Sequence, residues 1–354
     1  MEIIDKYLAR AVLGGVLSVL AVLATLDAII GFAGDADQIG QGSFTLWSAI
    51  EFTLCRIPRQ AYALFPLAVL LGTVLGLGSL AGSGELVVIR AAGVSLLRII
   101  FSVMKAAMVL IVLAMVIGEA IAPPLTQYAQ IKKARALSQQ ISLNTDYGLW
   151  ARDGQVYIHV RRVESDGRLT GIQLYSFDDK QRLQSTINAA SARHKGEEWQ
   201  LNNVVRTEFS PQGVNKQHLK SLTWKSLLKP ELVDVVSILP EFLSIWKLND
   251  YIGYLKENNL DSGLYELSFW NKVMMPLTIA AMVLLAVPFV FGSRRQGGVG
   301  QRIFIGFLVG LTFYIVDQLI GQVSVVYAMP SWLGASFPTL LILALGVYSI
   351  RRIR

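Results

Sequence analysis

The chain has 354 residues, of which 53% are hydrophobic and only 16% charged, and carries a formal net charge of +7. That balance excludes an ordinary globular enzyme and points to a helical membrane protein with one small soluble domain. The excess base gathers at the ends of apolar segments, which argues against nucleic-acid binding, and the single cysteine, Cys55, excludes an intrachain disulfide or thiolate metal cluster.

Six apolar stretches of about 20 residues each match a bilayer core of about 30 Å. They predict spans at 11–33, 62–80, 99–121, 273–291, 303–322 and 332–350. A cleaved signal peptide is the rival reading of the first, but its apolar run is too long and no small-residue cleavage site follows. It is taken as an uncleaved span. Lys6, Arg10, Arg90, Arg98, Lys105, Arg294, Arg295, Arg302, Arg351, Arg352 and Arg354 fall on one side, which predicts cytoplasmic termini. The other side is poorer in base, and Asp35 and Asp37 follow the first span there.

The expected organisation is residues 1–126 as three spans, 127–268 as a domain on the opposite face, and 269–354 as three returning spans. In the second span Gly72 and Gly76 share a helix face and let another helix come close, either as a packing seam or as a contact for a partner. Pro276 and Pro288 in the fourth span remove backbone donors and either bend the helix or are accommodated.

The insert begins with a helical extension containing Gln127, Tyr128, Lys132, Lys133 and Arg135. Alternating segments at 155–163, 169–177, 182–191, 198–209 and 218–227 then read as strands separated by turn residues. The expected insert is an all-β sandwich or jellyroll-like domain. Helical pattern returns near 249, with Asn249 as the expected N-cap of a helix over 250–256.

Chemistry-bearing motifs are few. The chain has no phosphate-cradling GxxxxGK[ST] loop and no nucleophile motif. His159, His194 and His218 lack metal-ligand spacing and read as strand histidines. Asp27, Glu119 and Asp317, the last beside Gln318, are carboxylates within predicted spans. They either form polar contacts between helices or line a substrate path.

The connection between the second and third spans is more pointed. Ser83 is expected to cap, Glu85 to sit in the first turn, and Gly93 to terminate a short helix lying parallel to the membrane surface. Leu86, Val88 and Ile89 would form an apolar ridge beside Glu85 and Arg90. The ridge either rests on lipid or docks a cytoplasmic partner, and a docking role explains why the connection is longer than a simple turn.

Three runs carry a family resemblance: Glu85, Leu86, Val87, Val88, Ile89, Arg90, Ala91, Ala92, Gly93; Gly148, Leu149, Trp150, Ala151, Arg152, Asp153, Gly154; and Phe313, Tyr314, Ile315, Val316, Asp317, Gln318. In this order and within this layout the chain resembles the LptF/LptG family of lipopolysaccharide-export permeases, its LptG branch more than its LptF branch. The resemblance implies a non-catalytic permease half of an ABC transporter in a Gram-negative inner membrane, with the insert periplasmic. The implied partners are an LptF-like sister permease, an LptB-like ATPase dimer that uses ATP and Mg, an LptC-like single-span protein, and lipopolysaccharide. No cofactor is expected on this chain itself.

In that light the Glu85 helix is similar to the family's coupling helix, seated on the ATPase. Arg59 and Lys133 match positions associated with the lipid's phosphates. LptG relatives commonly carry lysines at the outer end of the first span, whereas this chain has Gly31, Phe32, Ala33, Gly34, Asp35, Ala36 and Asp37. That departure shifts the expected phosphate contacts to Arg56, Arg59, Lys132, Lys133 and Arg135, with Arg56 and Arg59 equally readable as interfacial anchors. The alternatives are an ion-coupled secondary transporter, which predicts a midplane acid or paired broken helices, and a membrane-tethered β-domain receptor or scaffold.

Overall fold

The computed structural model describes residues 3–137, 149–163, 168–178, 182–195, 198–210, 213–224, 240–258, 260–291 and 299–352. In chain order its helices are α1 (Ile3–Asp35), α2 (Leu46–Gly82), α3 (Glu85–Ala91), α4 (Leu96–Met115), α5 (Ala122–Ala136), α6 (Ile245–Glu257), α7 (Gly263–Phe291), α8 (Val299–Val326) and α9 (Ser331–Arg352). A π-helical turn, Val116–Ile121, runs without interruption between α4 and α5. The chain divides into two compact units. The first joins Met1–Asp37, Ala49–Thr126 and Gly263–Arg354, and the second joins Gln38–Ser48 with Gln127–Ser262.

Six helices of the described chain are long and apolar enough to cross a membrane. They are longer than the spans read from hydropathy, because hydropathy detects only the stretch that matches the hydrocarbon core. α2, for instance, has 37 residues, about 55 Å of helix at 1.5 Å per residue. Pro276 and Pro288 both lie within the continuous α7.

The core of this unit is drawn mainly from four helices, with α2 and α7 buried over consecutive residues. Leu8, Val12 and Val16 of α1 meet Phe65, Ala68 and Leu70 of α2, Ile99, Val103 and Leu110 of α4, and Ile279, Met282 and Ala286 of α7. α9 packs along α7, where Thr278 and Thr339 share a 2.8 Å hydrogen bond. α1 and α8 differ from the rest: only 17% of the most apolar stretch of each is buried.

The second unit contains an antiparallel sheet of six strands in sequence order: β1 (Leu149–Asp153), β2 (Val156–Val163), β3 (Leu169–Phe177), β4 (Leu183–Lys195), β5 (Glu198–Ser210) and β6 (Gly213–Trp224). The inserted all-β domain read from the sequence is present. Its described strands form a meander, with no Greek-key crossover among them. β1 was not anticipated, and β6 begins earlier than the strand expected at 218–227, whose residues 225–227 lie outside the described ones.

Burial in the sheet follows pairing. Ile158 and Val160 on β2, Ile172 and Leu174 on β3, Ala189 on β4 and Val204 on β5 are buried. A second buried row, Leu169, Ala192 and Leu201, lies three residues away along each strand instead of two or four. Gly171 and Asn203, at φ of 66° and 53°, stand between the rows on β3 and β5. Their left-handed backbone resets the two-residue alternation of a strand.

Two contacts tie the rest of this unit to its sheet and to α5. Asn258, buried at the end of α6, accepts a 2.9 Å hydrogen bond from Gly154 N–H in the β1–β2 turn. Ser43 donates through its backbone N–H to the Ala136 carbonyl at 2.6 Å. The cap of α6 is Ser244, whose hydroxyl accepts from Lys247 N–H, and not Asn249. The helix starts earlier because Ile245, Leu248 and Tyr251 continue its apolar face, and Leu248 and Tyr251 are buried along it.

Candidate functional site

α3 is a seven-residue helix held between two left-handed glycines, Gly84 at φ 80° and Gly93 at φ 92°. Its end is a Schellman motif: Gly93 N–H donates to the Arg90 carbonyl and Val94 N–H to the Ile89 carbonyl. Gly93 thus terminates the helix. Ser83 does not cap it. Gly84 occupies the N-cap with no side-chain bond, and the Ser83 hydroxyl donates instead to Glu85 Oε1 at 2.7 Å and to the Leu80 carbonyl.

The expected ridge is divided. Leu86 is buried in the bundle core and Ile89 packs partly against it, so neither offers its full side chain to a partner. Val87 and Val88 are 54% and 68% exposed, and Arg90 is exposed beside them. The outward face is therefore Val87, Val88 and Arg90. A helix that inserts one residue must turn its neighbours away, since successive positions are about 100° apart.

Glu85 is held within the chain. Tyr7 Oη of α1 donates to its Oε2, and Ser83 to its Oε1. These two hydrogen bonds hold the Glu85 carboxyl below the usual carboxylate range, Tyr7 contributing most. The sign follows: bonds to the charged form are fully present above the unfolded value and are lost as pH falls through the lowered folded value.

Gly72 and Gly76 face α1. A Cβ on Gly72 would run into the backbone of Val16, and one on Gly76 into the Ala11 carbonyl. Gly15 completes the seam from the other side, where its Cβ would meet the Gly72 carbonyl. The small-residue face is filled by this chain's own first helix.

Asp27, Asp35 and Arg56 form a single arrangement. Asp27, Gly31 and Asp35 are spaced by four residues, so they line one face of α1. Arg56 of α2 places Nη2 4.0 Å from Asp27 Oδ2 and Nη1 3.7 Å from Asp35 Oδ2. A Cβ on Gly31 would come 2.7 Å from Arg56 Nη2, so glycine here leaves the guanidinium its place between the acids. Gln60 Nε2 donates to Asp27 Oδ1 at 3.0 Å. Arg56, expected to be open to phosphate, is thus engaged by two carboxylates. Of the two acids at the outer end of the first span, Asp35 is one of its counter-charges.

Glu119 lies in the π-helical turn and pairs with Lys272 of α7 at 2.5 Å. Lys272 is 6% exposed, donates also to the Gly118 carbonyl at 3.4 Å, and sits 5.4 Å above the Tyr62 ring. A side chain on Gly118 would strike that ring. Sequence reading missed Lys272 because it lies one residue before the predicted span at 273. Asp317 on α8 is half-buried and Gln318 is exposed.

Arg59 is half-buried on α2, one turn from Tyr62. In the second unit, Lys133 stands 5.7 Å over the buried Phe44 ring, and Lys132 lies 3.4 Å from the Tyr128 hydroxyl. The Arg135 side chain lies outside the described residues. The three histidines fall on β2, β4 and β6, with His194 edge-on to Trp199.

These features define a multi-pass membrane protein with an inserted β domain, in which polar side chains join helices and one short helix presents an apolar face outside the bundle. Residues 6–352 match the family described as lipopolysaccharide export system permease LptF/LptG, and the chain belongs to it. It is 36% identical over 353 residues to the lipopolysaccharide export system permease protein LptG of Escherichia coli strain K12, covering 99% of this chain and 98% of the relative. It is 37% identical over 353 residues to LptG of Haemophilus influenzae strain KW20/Rd, covering 99% of each. Nothing in these relatives favours a secondary transporter or a tethered receptor.

Proposed function

We propose that this chain is the LptG-type permease half of an ABC transporter that extracts lipopolysaccharide from a Gram-negative inner membrane and drives it towards the periplasmic bridge. The observation that carries this reading is the family match over nearly the whole chain, insert included. In the proposal both termini and α3 are cytoplasmic and the β domain is periplasmic. The spread of Lys and Arg over alternate connections supports that orientation.

The partners follow from the same reading. An LptB-like ATPase dimer, using ATP and Mg, receives the exposed face of α3. An LptF-like sister permease completes the cavity, and an LptC-like single-span protein joins the assembly. The mostly unburied α1 and α8 support a partner of this size in the membrane plane, since each leaves one apolar face without cover in this chain. The lipid's phosphates meet basic side chains, for which Arg59, Lys132, Lys133 and Arg135 remain the candidates, with Arg56 available only when its acids let go.

Purification from native membranes, with mass spectrometry of bound proteins and lipids, tests the assembly. The expected companions are an ATPase, a second permease and lipopolysaccharide. Val88→Asp places a charge on the outward face of α3 and is expected to remove the ATPase from the preparation. If the ATPase stays bound and ATP-driven lipid release continues in both Val88→Asp and Glu85→Lys, α3 is not the docking helix.

A further inference from the structure

Between Gly84 and Gly93, α3 has little to fix its orientation. Both glycines are in the left-handed region, and the helix has only seven residues. Three side chains anchor it. Leu86 is plugged into the core, Ile89 packs partly against it, and Glu85 is held by Ser83 and by Tyr7, a residue 78 positions earlier on α1. A phenol bonded to a carboxylate is a charge-assisted bond, stronger than one between neutral groups.

The neighbouring turn of α1 is tied on the other flank of the connection. Asp5, 4% exposed, accepts from Ser102 Oγ of α4 at 2.5 Å and pairs with Lys105 Nζ at 2.5 Å. The first two turns of α1 therefore hold both α3 and α4. Further along, Gly15 rests on Gly72 and Gly76 with backbone against backbone. Beyond that, Arg56 stands 4.0 Å from Asp27, whose side chain is 30% exposed, and 3.7 Å from the buried Asp35.

We propose that Tyr7 is a positioning residue that makes α1 a lever driven by α3, with the glycine seam as its pivot. The proposal rests on α3 being the docking helix. Tyr7 lies about 12 Å from Gly15 along the helix, and Asp27 about 18 Å beyond it on the far side. A small rocking of α3 at Glu85 is thus enlarged about 1.5-fold at Asp27, and more at Asp35. The tight seam suits a pivot because neither backbone can yield. The long, partly exposed Arg56–Asp27 pair suits the moving end because it separates at little cost.

The test uses the whole complex purified from its native membrane and reconstituted in liposomes, with Tyr7→Phe in this chain. The substitution removes one hydroxyl from a ring that is 46% exposed. The ATPase is expected to remain bound and ATP hydrolysis to stay within about twofold, while lipid released per ATP falls about tenfold, the equivalent of one hydrogen bond to a charged group. A spin-label distance from the Asp35 end of α1 to α7, which changes on adding nucleotide in the parent, is expected to stay fixed. Unchanged lipid release per ATP with the same label displacement would overturn the lever while leaving docking intact. Docking itself fails separately, if both Val88→Asp and Glu85→Lys keep the ATPase bound and release running.

Discussion

Two charged clusters join helices in the membrane unit, and they are built in opposite ways. Lys272 and Glu119 lie 2.5 Å apart with side chains 7% and 17% exposed. Arg56 stands 4.0 and 3.7 Å from Asp27 and Asp35, and its side chain is 26% exposed. The first pair also fills its surroundings: Lys272 bonds the Gly118 carbonyl and covers Tyr62, so its charge has partners on two elements, the π turn and α2. Burial and close approach make the Lys272–Glu119 pair hard to break, whereas greater distance, and water at Arg56 and Asp27, make the Arg56–Asp27 pair easier to exchange. One cluster fixes the shape of the third spanning helix at its π turn. The other leaves the Arg56 guanidinium, at 3.7 Å or more from both acids, able to change partner.

The sharpest way to break this contrast is to remove one partner from each cluster. Lys272→Met takes away the buried ammonium partner of the Glu119 carboxylate and is expected to destabilise the unit by about 3–5 kcal/mol. Lys272→Met with Glu119→Leu is expected to recover most of that loss, because an apolar pair carries no desolvation penalty. Unfolding of the purified chain in mixed detergent micelles gives both values. A loss below about 1 kcal/mol for the single variant would place this pair with ordinary surface bridges.

The glycine seam comes next. Gly76→Ala sets a Cβ against the Ala11 carbonyl, and backbone cannot move aside as a side chain would. The expected loss is about 1–3 kcal/mol, at the upper end for a contact with main chain. Gly14→Ala on α1, whose added Cβ meets nothing, is the control and is expected to be neutral or slightly stabilising. Equal melting temperatures for the two variants would show that α1 and α2 do not meet this closely.

Much of this is legible in the sequence alone. Six spans follow from the length of the apolar runs and the insert from two-residue alternation, and the glycines of α2 mark a close-approach face. The less legible parts have physical causes. Lys272 escaped because a residue beside the apolar run reads as an interfacial anchor until a partner is known. The π turn has no compositional mark. β1 is five residues with Arg152 and Asp153 at its end, too short to show alternation. The split of α3 into a buried Leu86 and an exposed Val87–Val88 face depends on which side the core lies, which spacing alone does not tell. The Arg56 bracket was within reach, since two acids and a glycine at four-residue spacing form a slot for a cation.

That bracket yields the smallest and most discriminating effect. Arg56→Gln keeps a donor beside the buried Asp35 and loses only a long pair to the partly exposed Asp27, so it is expected to change stability by about 1 kcal/mol. Its consequence for cargo runs the other way. Neutralising both acids, Asp27→Asn with Asp35→Asn, removes the competitors of a lipid phosphate for the guanidinium. A competing pair worth about 1 kcal/mol corresponds to a factor of about five in affinity. Lipopolysaccharide retained through detergent purification, quantified by mass spectrometry against the parent chain, is therefore expected to rise severalfold in the double variant and to fall back when Arg56→Gln is added. If retention is the same in all three, Arg56 takes no part in lipid binding and its acids serve only to hold α1 against α2.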